Sequence, residues 1–439
     1  MPKEKPPKKP LSPEDRRMHI QLALLALAVM IDILGFSIII PLVPEYVQRG
    51  LHCAPNDPRM GEVGGWLIAV YALMQFLFAP VWGALSDRIG RKPILIGSLV
   101  GDAVFYVLFG LSVHSLPGQF AARILAGIFS SASLSVAQAY AADITPPHLR
   151  AMGLGYLGAA FGVGFVFGPA LGGLLGQFDL SLPLYVSAGL AVVNLLYIKA
   201  KLPEPARAER APSAAPPPSL PGRLRLMAQA VSGPVGFLYL LTFAVTFAFA
   251  NLEGTFTFYL KQHFHYAERN ITAVTGGVFA YVGILIVIIQ GGAIRPLVKR
   301  YGEANLIVLG VGLMALGFLL FPFAGALWIL LLGPMLPISL GNGLNGPSLR
   351  ALVSRKSAAT AQGASLGLSA SFDSLARATG PAVGGYLYRD IGQAAPYWCA
   401  GIVMSLCFVF ALARKGDMTA PPVPAPPAAD IPAGEPLTP

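Results

Sequence analysis

Charge is what this 439-residue sequence has least of: aspartate, glutamate, lysine and arginine together make up 12% of it, while 55% is apolar. Soluble domains carry about 25% charged residues, so a water-facing surface cannot be tiled here, and lipid is the expected solvent. Cysteine is scarce too. Cys53, Cys399 and Cys407 lie in separate segments without metal-ligand spacing, which argues against a disulfide framework or a zinc site, and no metal or other cofactor is expected. A GxxxxGK[ST] phosphate loop is missing, so any work on a solute must draw on a gradient and not on a Walker-type ATPase within the chain.

Two imitations of chemical motifs are set aside by context. Gly153-Leu154-Gly155-Tyr156-Leu157-Gly158 fits GxGxxG but follows no strand, and Gly363-Ala364-Ser365-Leu366-Gly367 fits GxSxG inside an apolar helical run. Neither supports an enzyme.

What is present in quantity is long apolar runs. A bilayer core needs about 20 apolar residues per helix. Twelve such stretches can be placed, at about 20–43, 63–85, 93–113, 118–142, 152–175, 182–199, 234–260, 271–294, 305–325, 328–350, 362–388 and 395–413. The run from Ile20 is too long for a signal peptide and lacks a small-residue cleavage site, so it reads as a retained first span. The expectation is an all-α membrane protein of twelve transmembrane helices in two pseudo-symmetric six-helix halves. Its parts are a basic tail (1–18), a first bundle (19–200), a flexible Pro/Ala-rich linker (201–233), a second bundle (234–413) and a disordered Pro/Ala-rich tail (414–439).

The net charge of +10 is a topology signal. Of 31 lysines and arginines, 24 fall in the two tails and the loops after even-numbered spans, five in the opposite loops, and two, Arg123 and Arg377, inside spans. The positive-inside rule then puts both termini and the linker in the cytoplasm of a multi-pass protein of the plasma or bacterial inner membrane. No folded basic face with aromatic or motif support is visible, so no nucleic-acid partner is expected.

An internal repeat supports the two halves. Gly168-Pro169-Ala170-Leu171-Gly172-Gly173 recurs as Gly380-Pro381-Ala382-Val383-Gly384-Gly385 at an offset of 212, and the same offset carries Gly155 onto Gly367 and Asp87-Arg88-Ile89-Gly90 onto Lys299-Arg300-Tyr301-Gly302. Such duplication predicts a solute path between the halves near mid-bilayer.

The loop after span 2, Gly83-Ala84-Leu85-Ser86-Asp87-Arg88-Ile89-Gly90-Arg91-Lys92-Pro93, is a tight hinge in which Asp87 can pair with arginines or face a helix N-terminus of the other half. It matches the GxLxDRxGRKP signature and so resembles the major facilitator superfamily. The resemblance implies a conformational latch, for which Gly83, Asp87, Arg88, Gly90, Arg91, Asp143 and Arg150 are the candidates. In span 5, Gly155, Gly164, Gly168-Pro169 and Gly172-Gly173 resemble the pattern of the superfamily's antiporter branch. Gly164, Gly168, Gly172 and Gly176 leave one helix face bare, and Pro169 frees the carbonyl of Phe165 and predicts a kink. The bare face is expected to be the moving interface.

Arg123-Ile124-Leu125-Ala126-Gly127, the run from Ala137 to Thr145, Ile31-Asp32-Ile33-Leu34-Gly35-Phe36 and Pro41-Leu42-Val43-Pro44 are similar to tetracycline efflux proteins, closely in the first half and thinly in the second. Those relatives carry an aspartate in span 3 where this chain has Phe105; here the acid is Asp102, one turn earlier and on roughly the same face.

Ionisable groups at membrane depth are costly and mark a pathway or a pair. Asp32, Asp102, Arg123, Glu253, Asp373 and Arg377 are therefore the proton-coupling candidates, Asp32 and Asp102 foremost. Asp373 with Arg377, and Asp32 with Arg123, could instead neutralise each other. Tyr71, Gln75, Gln138, Asn342 and Asn345 are candidates for orienting a solute, or for joining helices. Together these imply a monomeric secondary transporter that exports an amphipathic small molecule, tetracycline-like or another drug, in exchange for protons. The alternatives are import or facilitated diffusion of a metabolite, and a non-transporting membrane receptor.

Overall fold

Backbone in lipid must satisfy its own hydrogen bonds, which favours unbroken helices for apolar runs of this length. The computed structural model describes residues 12–54, 57–146, 149–205, 219–264, 268–357 and 362–419, and no strand occurs among them. In the first half α1 (Pro13–Ser37) continues through a 3-10 turn at Ile40–Leu42 into α2 (Val43–Leu51). It is followed by α3 (Arg59–Ile89), α4 (Arg91–Leu111), α5 (Leu116–Ile144), α6 (Arg150–Leu175) and α7 (Leu182–Lys201). A short helix, α8 (Leu220–Val231), leads to the second half. There α9 (Gly236–His263) is followed by α10 (Glu268–Ile288), which runs through a π turn at Ile289–Ala293 into α11 (Ile294–Tyr301). Then come α12 (Glu303–Leu320), α13 (Leu327–Leu330) with a π turn into α14 (Leu336–Lys356), α15 (Gln362–Asp390), α16 (Ala395–Ala413) and α17 (Lys415–Thr419).

Eleven of these continuous helical stretches are long and apolar enough to cross a membrane. The twelfth span expected from the sequence is α15, which has 29 residues, ample for a crossing. Asp373, Arg377 and its serines keep it out of the apolar set, and it packs between α3 and α9.

The repeat is visible as geometry. Gly90 and Gly302, related by the offset of 212, both begin the following helix at positive φ, 107° and 77°, which side chains with a Cβ rarely adopt. The halves meet along two seams, α3 against α15 and α6 against α10. At the first, a Cβ on Gly65 would strike the carbonyl of Pro381 and one on Gly385 the carbonyl of Gly61. At the second, a Cβ on Gly173 would strike the carbonyl of Thr272, and one on Gly276 would lie 2.7 Å from the carbonyl of Pro169. Backbone therefore touches backbone at both seams, with Pro169 and Pro381 in matching places.

All these contacts lie toward the face opposite the linker, here called the far face; the linker side is the basic face. Lys261 closes the far face by donating to Glu45 Oε1 at 3.1 Å and Gln48 Oε1 at 2.9 Å, and Arg389 pairs with Glu62. Toward the basic face, a Cβ on Gly83, Gly155, Gly158 or Gly367 would meet nothing within 4 Å. Among the described residues the close backbone contacts between the halves thus lie toward the far face, while these glycines toward the basic face have no neighbour.

Three expectations need correction: the tail expected to be disordered from residue 414 begins as helix α17 with Met418 buried, and the other two concern the α6 stripe and the linker. The stripe of Gly164, Gly168, Gly172 and Gly176 does not face the other half. Built Cβ atoms there would meet Met30, Ser37, Ile38 and Leu42, so the stripe seats α6 on α1 within one half, where Ser37 Oγ also donates to the carbonyl of Gly164 at 3.2 Å. Gly173, next to it, is the residue that faces across. The linker is not flexible throughout. Leu220, Leu224, Met227 and Val231 share a helical face, no proline follows Pro221, and Met227 is buried, so 220–231 holds as a helix. Residues 206–218 and 420–439 lie outside the described residues.

Candidate translocation site

In the first half, α5 places a run of small polar residues, Ser130, Ser131 and Ser133, all buried, opposite α1, α3 and α4. Tyr71 of α3 donates to Ser130 Oγ at 2.5 Å and Gln75 Nε2 donates to the same oxygen at 3.4 Å. Asp32 of α1 adjoins Asp102 of α4 within hydrogen-bonding reach and has Ser133 beside it. Asp102 is 2% exposed, and its Oδ2 accepts from no donor among the described residues. Two carboxyls so close can bond only if one carries a proton.

The Asp32–Arg123 neutral pair does not form. The Arg123 guanidinium, 4% exposed, donates to the carbonyl of Leu67 at 3.2 Å and lies 4.3 Å from the Tyr71 ring centroid and 5.7 Å from that of Phe36. Its Nη1 has no partner among the described residues. Cation–π contact with two stacked rings, 4.8 Å apart, stands in for a carboxylate. The acid pair thus stands apart from the cation.

In the second half Arg377 pairs with Asp373 at 3.2 Å, and Thr246 of α9 donates to the other oxygen of Asp373 at 2.6 Å. Arg377 also lies 5.3 Å over Phe161 of α6, bridging the halves near mid-span. Side-chain exposures of 29% for Arg377 and 38% for Asp373, halfway along a spanning helix, mean that the pair is not sealed between helices. Glu253 is 7% exposed with Oε1 unpartnered among the described residues, and Asp373 and Arg377 are its charged neighbours. Arg350 of α14 neighbours the same pair and, among the described residues, bonds the carbonyl of Gly346 in its own helix at 3.2 Å.

Of the polar candidates, Tyr71 and Gln75 join the acid pair's surroundings, Gln138 is exposed and Asn342 half-buried. Asn345 is fully buried and donates to Met314 Sδ at 3.5 Å, so it joins α14 to α12 away from the cavity. Sequence reasoning missed Ser130, Ser133 and Thr246. The serine run in span 4 was the available signal for the first two.

The latch residues assemble within the first half. Arg91 binds Asp87 at 2.7 Å, Asp143 at 2.9 Å and Ser86 Oγ at 2.5 Å, and Glu204 accepts from the backbone N–H groups of Arg91 at 2.6 Å and Lys92 at 2.9 Å. Of the two partners expected for Asp87, an arginine or a helix N-terminus of the other half, this arrangement shows the arginine, Arg91. The side chain of Arg150 lies outside the described residues. The offset of 212 carries Asp87, Arg91 and Asp143 onto Lys299, Glu303 and Arg355, every charge reversed, and Glu303 binds Arg355 at 2.7 Å. The basic face therefore holds two matching ion pairs of reversed order, Arg91–Asp143 and Glu303–Arg355.

Comparison with known proteins places this geometry. The profile of the Major Facilitator Superfamily matches residues 25–381 and 294–439. The tetracycline resistance protein, class C, of Escherichia coli is 33% identical over 389 residues, 88% of this chain and 94% of that protein. Multidrug resistance protein 2 of Bacillus subtilis is 28% identical over 378 residues, 86% and 90% of the two chains. The crystal structure of the human organic anion transporter MFSD10 (TETRAN) superposes with a TM-score of 0.71 at 27% identity, covering 91% of this chain and all of that one. Two charge-reversed ion pairs and a duplicated glycine–proline seam thus sit in a chain matched over most of its length, and this multi-pass membrane protein belongs to the Major Facilitator Superfamily of transporters.

Proposed function

We propose that the chain exports an amphipathic small molecule, tetracycline-like or another drug, in exchange for protons by alternating access. The observation that carries this reading is the Asp32–Asp102 pair: two adjoining carboxyls at membrane depth, neither bonded to a cation among the described residues. The basic face is cytoplasmic in this reading, by the charge asymmetry of the loops, and the described arrangement is inward-facing. A solute enters between the halves, the pair releases a proton to the cytoplasm, and the halves rock so that the solute leaves and a proton rebinds outside. Tyr71, Gln75 and Ser130 line the solute's path on one side, and Asp373, Arg377 and Phe161 on the other. One copy of the chain contains both halves and suffices. Everted membrane vesicles test this: addition of a transported drug should release protons from an acidified lumen, and vesicles without the protein should show no release. A drug that is transported with no proton movement would contradict the exchange.

A second reading is favoured by one observation. Arg350 faces the cavity with no carboxylate bonded to it among the described residues, which suits a solute bearing an anionic group. Arg350→Gln should then weaken transport of a carboxylated probe at least about tenfold, and leave a cationic one within about twofold. Equal losses for both probes would count against an anionic solute.

The charge-reversed clusters give a prediction for the gate. When the cytoplasmic face closes, the loop after α3 approaches the end of α14, bringing Asp87 toward Arg355. Asp87→Ala should weaken that closed state by about two- to fivefold, the range of an exposed pair. Single cysteines on the cytoplasmic face should become more reactive and those on the far face less so, at normal expression. Unchanged labelling would reduce Asp87 to an anchor for Arg91.

A further inference from the structure

Proline at position 80 removes the N–H that would bond the carbonyl of Phe76 four residues back in α3. That carbonyl is nonetheless occupied. Arg223 of the linker helix α8 donates to it through Nη1, holds its guanidinium 4.2 Å over the Phe76 ring centroid, and donates through Nη2 to Ser371 Oγ of α15 at 3.2 Å. One side chain from the connection between the halves thus bonds α3 and α15 at once.

The place matters because α3 and α15 form a seam. At Gly65 and Pro381 their backbones touch. Phe76 and Ser371 lie about 15 Å further along each helix toward the basic face, and there a guanidinium separates them. The two helices therefore diverge as a V with Arg223 in its opening. Closing the basic face would bring these segments together and expel the guanidinium, leaving the Phe76 carbonyl without its donor. No carboxylate is paired with Arg223 among the described residues, so its contacts to α3 and α15 are what hold it.

We propose that Arg223 is a gating residue: a wedge carried by the linker helix that stabilises the arrangement open at the basic face by capping the carbonyl that Pro80 leaves free. It rests on the rocking motion of the proposed function but assigns the linker a part in it that the transport reading does not require. The linker then sets the balance between the two arrangements, and anything that pulls α8 away favours closure.

The test uses the full chain in liposomes, with Cys53, Cys399 and Cys407 replaced by serine and spin labels attached after Ile89→Cys and Tyr301→Cys, exposed mates on the basic face. Arg223→Ala should shift the distance distribution toward the short, closed population by about tenfold, the order expected for losing charge-assisted bonds. Pro80→Ala restores the N–H to the Phe76 carbonyl, so in that background Arg223→Ala should shift the populations clearly less, because the shared partner is already satisfied. Ser371→Ala, which removes one bond and leaves the fold of α8 untouched, should shift them in the same direction by less. An unchanged distribution in Arg223→Ala, or equal shifts with and without Pro80, would overturn the wedge. A wild type with only one distance under every solute and pH condition would instead overturn the rocking reading itself.

Discussion

Replacing Asp32 by asparagine is expected to abolish uphill transport while leaving a folded protein that still binds its solute. Asparagine keeps the volume and can bond Asp102 and Ser133, so the packing around α1 and α4 has no reason to change. What it removes, in the proposed exchange, is the proton shared with Asp102. For a one-for-one electroneutral exchange, one pH unit is worth about 1.4 kcal/mol, or about a tenfold concentration ratio. Wild-type vesicles at that gradient should approach this ratio and Asp32→Asn vesicles should stay near equality, with counterflow of solute retained. Asp102→Asn should behave alike, since a proton shared between two carboxyls is lost by altering either. If Asp32→Asn accumulates solute with a normal dependence on pH, the proton passes elsewhere, and Glu253, with its unpartnered Oε1, becomes the leading group.

Two adjacent glycines of α6 should fail in different ways. Gly173 faces the other half, where a Cβ would strike the carbonyl of Thr272; Gly172 faces α1, where a Cβ would strike the carbonyl of Ile38. Gly173→Leu should therefore prevent closure on the far face. The expected result is a loss of turnover of more than about tenfold, higher reactivity of far-face cysteines, and nearly normal thermal unfolding. Gly172→Leu forces α6 off α1 within one half, an overpacking that costs about 1–3 kcal/mol or more. Its mark should be a lowered unfolding temperature and poor expression. Gly385→Leu, at the other seam against Gly61, should repeat the Gly173→Leu result because the seams are related by the repeat. Matching effects for Gly172→Leu and Gly173→Leu would mean that the seam at α6 and α10 is not a moving surface.

The spans and the repeat were legible because they depend on composition and on a register that stays constant at 212 residues. The paired positive-φ glycines and the two seams obey that register, although in the sequence it says only that there are two halves with a path between them. The direction of the Gly164 to Gly176 stripe was not legible. A bare helix face says that something approaches closely, and only the tertiary arrangement says that it is α1 and not the other half. Asn345 stood between its two readings for the same reason: an amide in an apolar helix bonds a neighbouring helix or a solute equally well until its neighbour is known. The helix at 220–231 was masked by the proline-rich segment before it, although the apolar spacing after Pro221 marked it. The charge reversal of Arg91 and Asp143 into Glu303 and Arg355 stood in the sequence, but it gains meaning only when both pairs are seen to bond. Likewise, that Asp32 meets Asp102 and not Arg123 depends on how α1, α4 and α5 pack, which no single span encodes.

The measurement that bears most directly on proton exchange is solute accumulation by the purified chain in sealed liposomes, driven only by an imposed pH difference. The account predicts that a transported drug concentrates above its medium level on the acidic side, that the ratio grows with the pH difference, and that a protonophore collapses it. A drug that enters quickly yet only ever reaches equality across the membrane, whatever the pH difference, would contradict proton-coupled exchange and leave facilitated diffusion in its place.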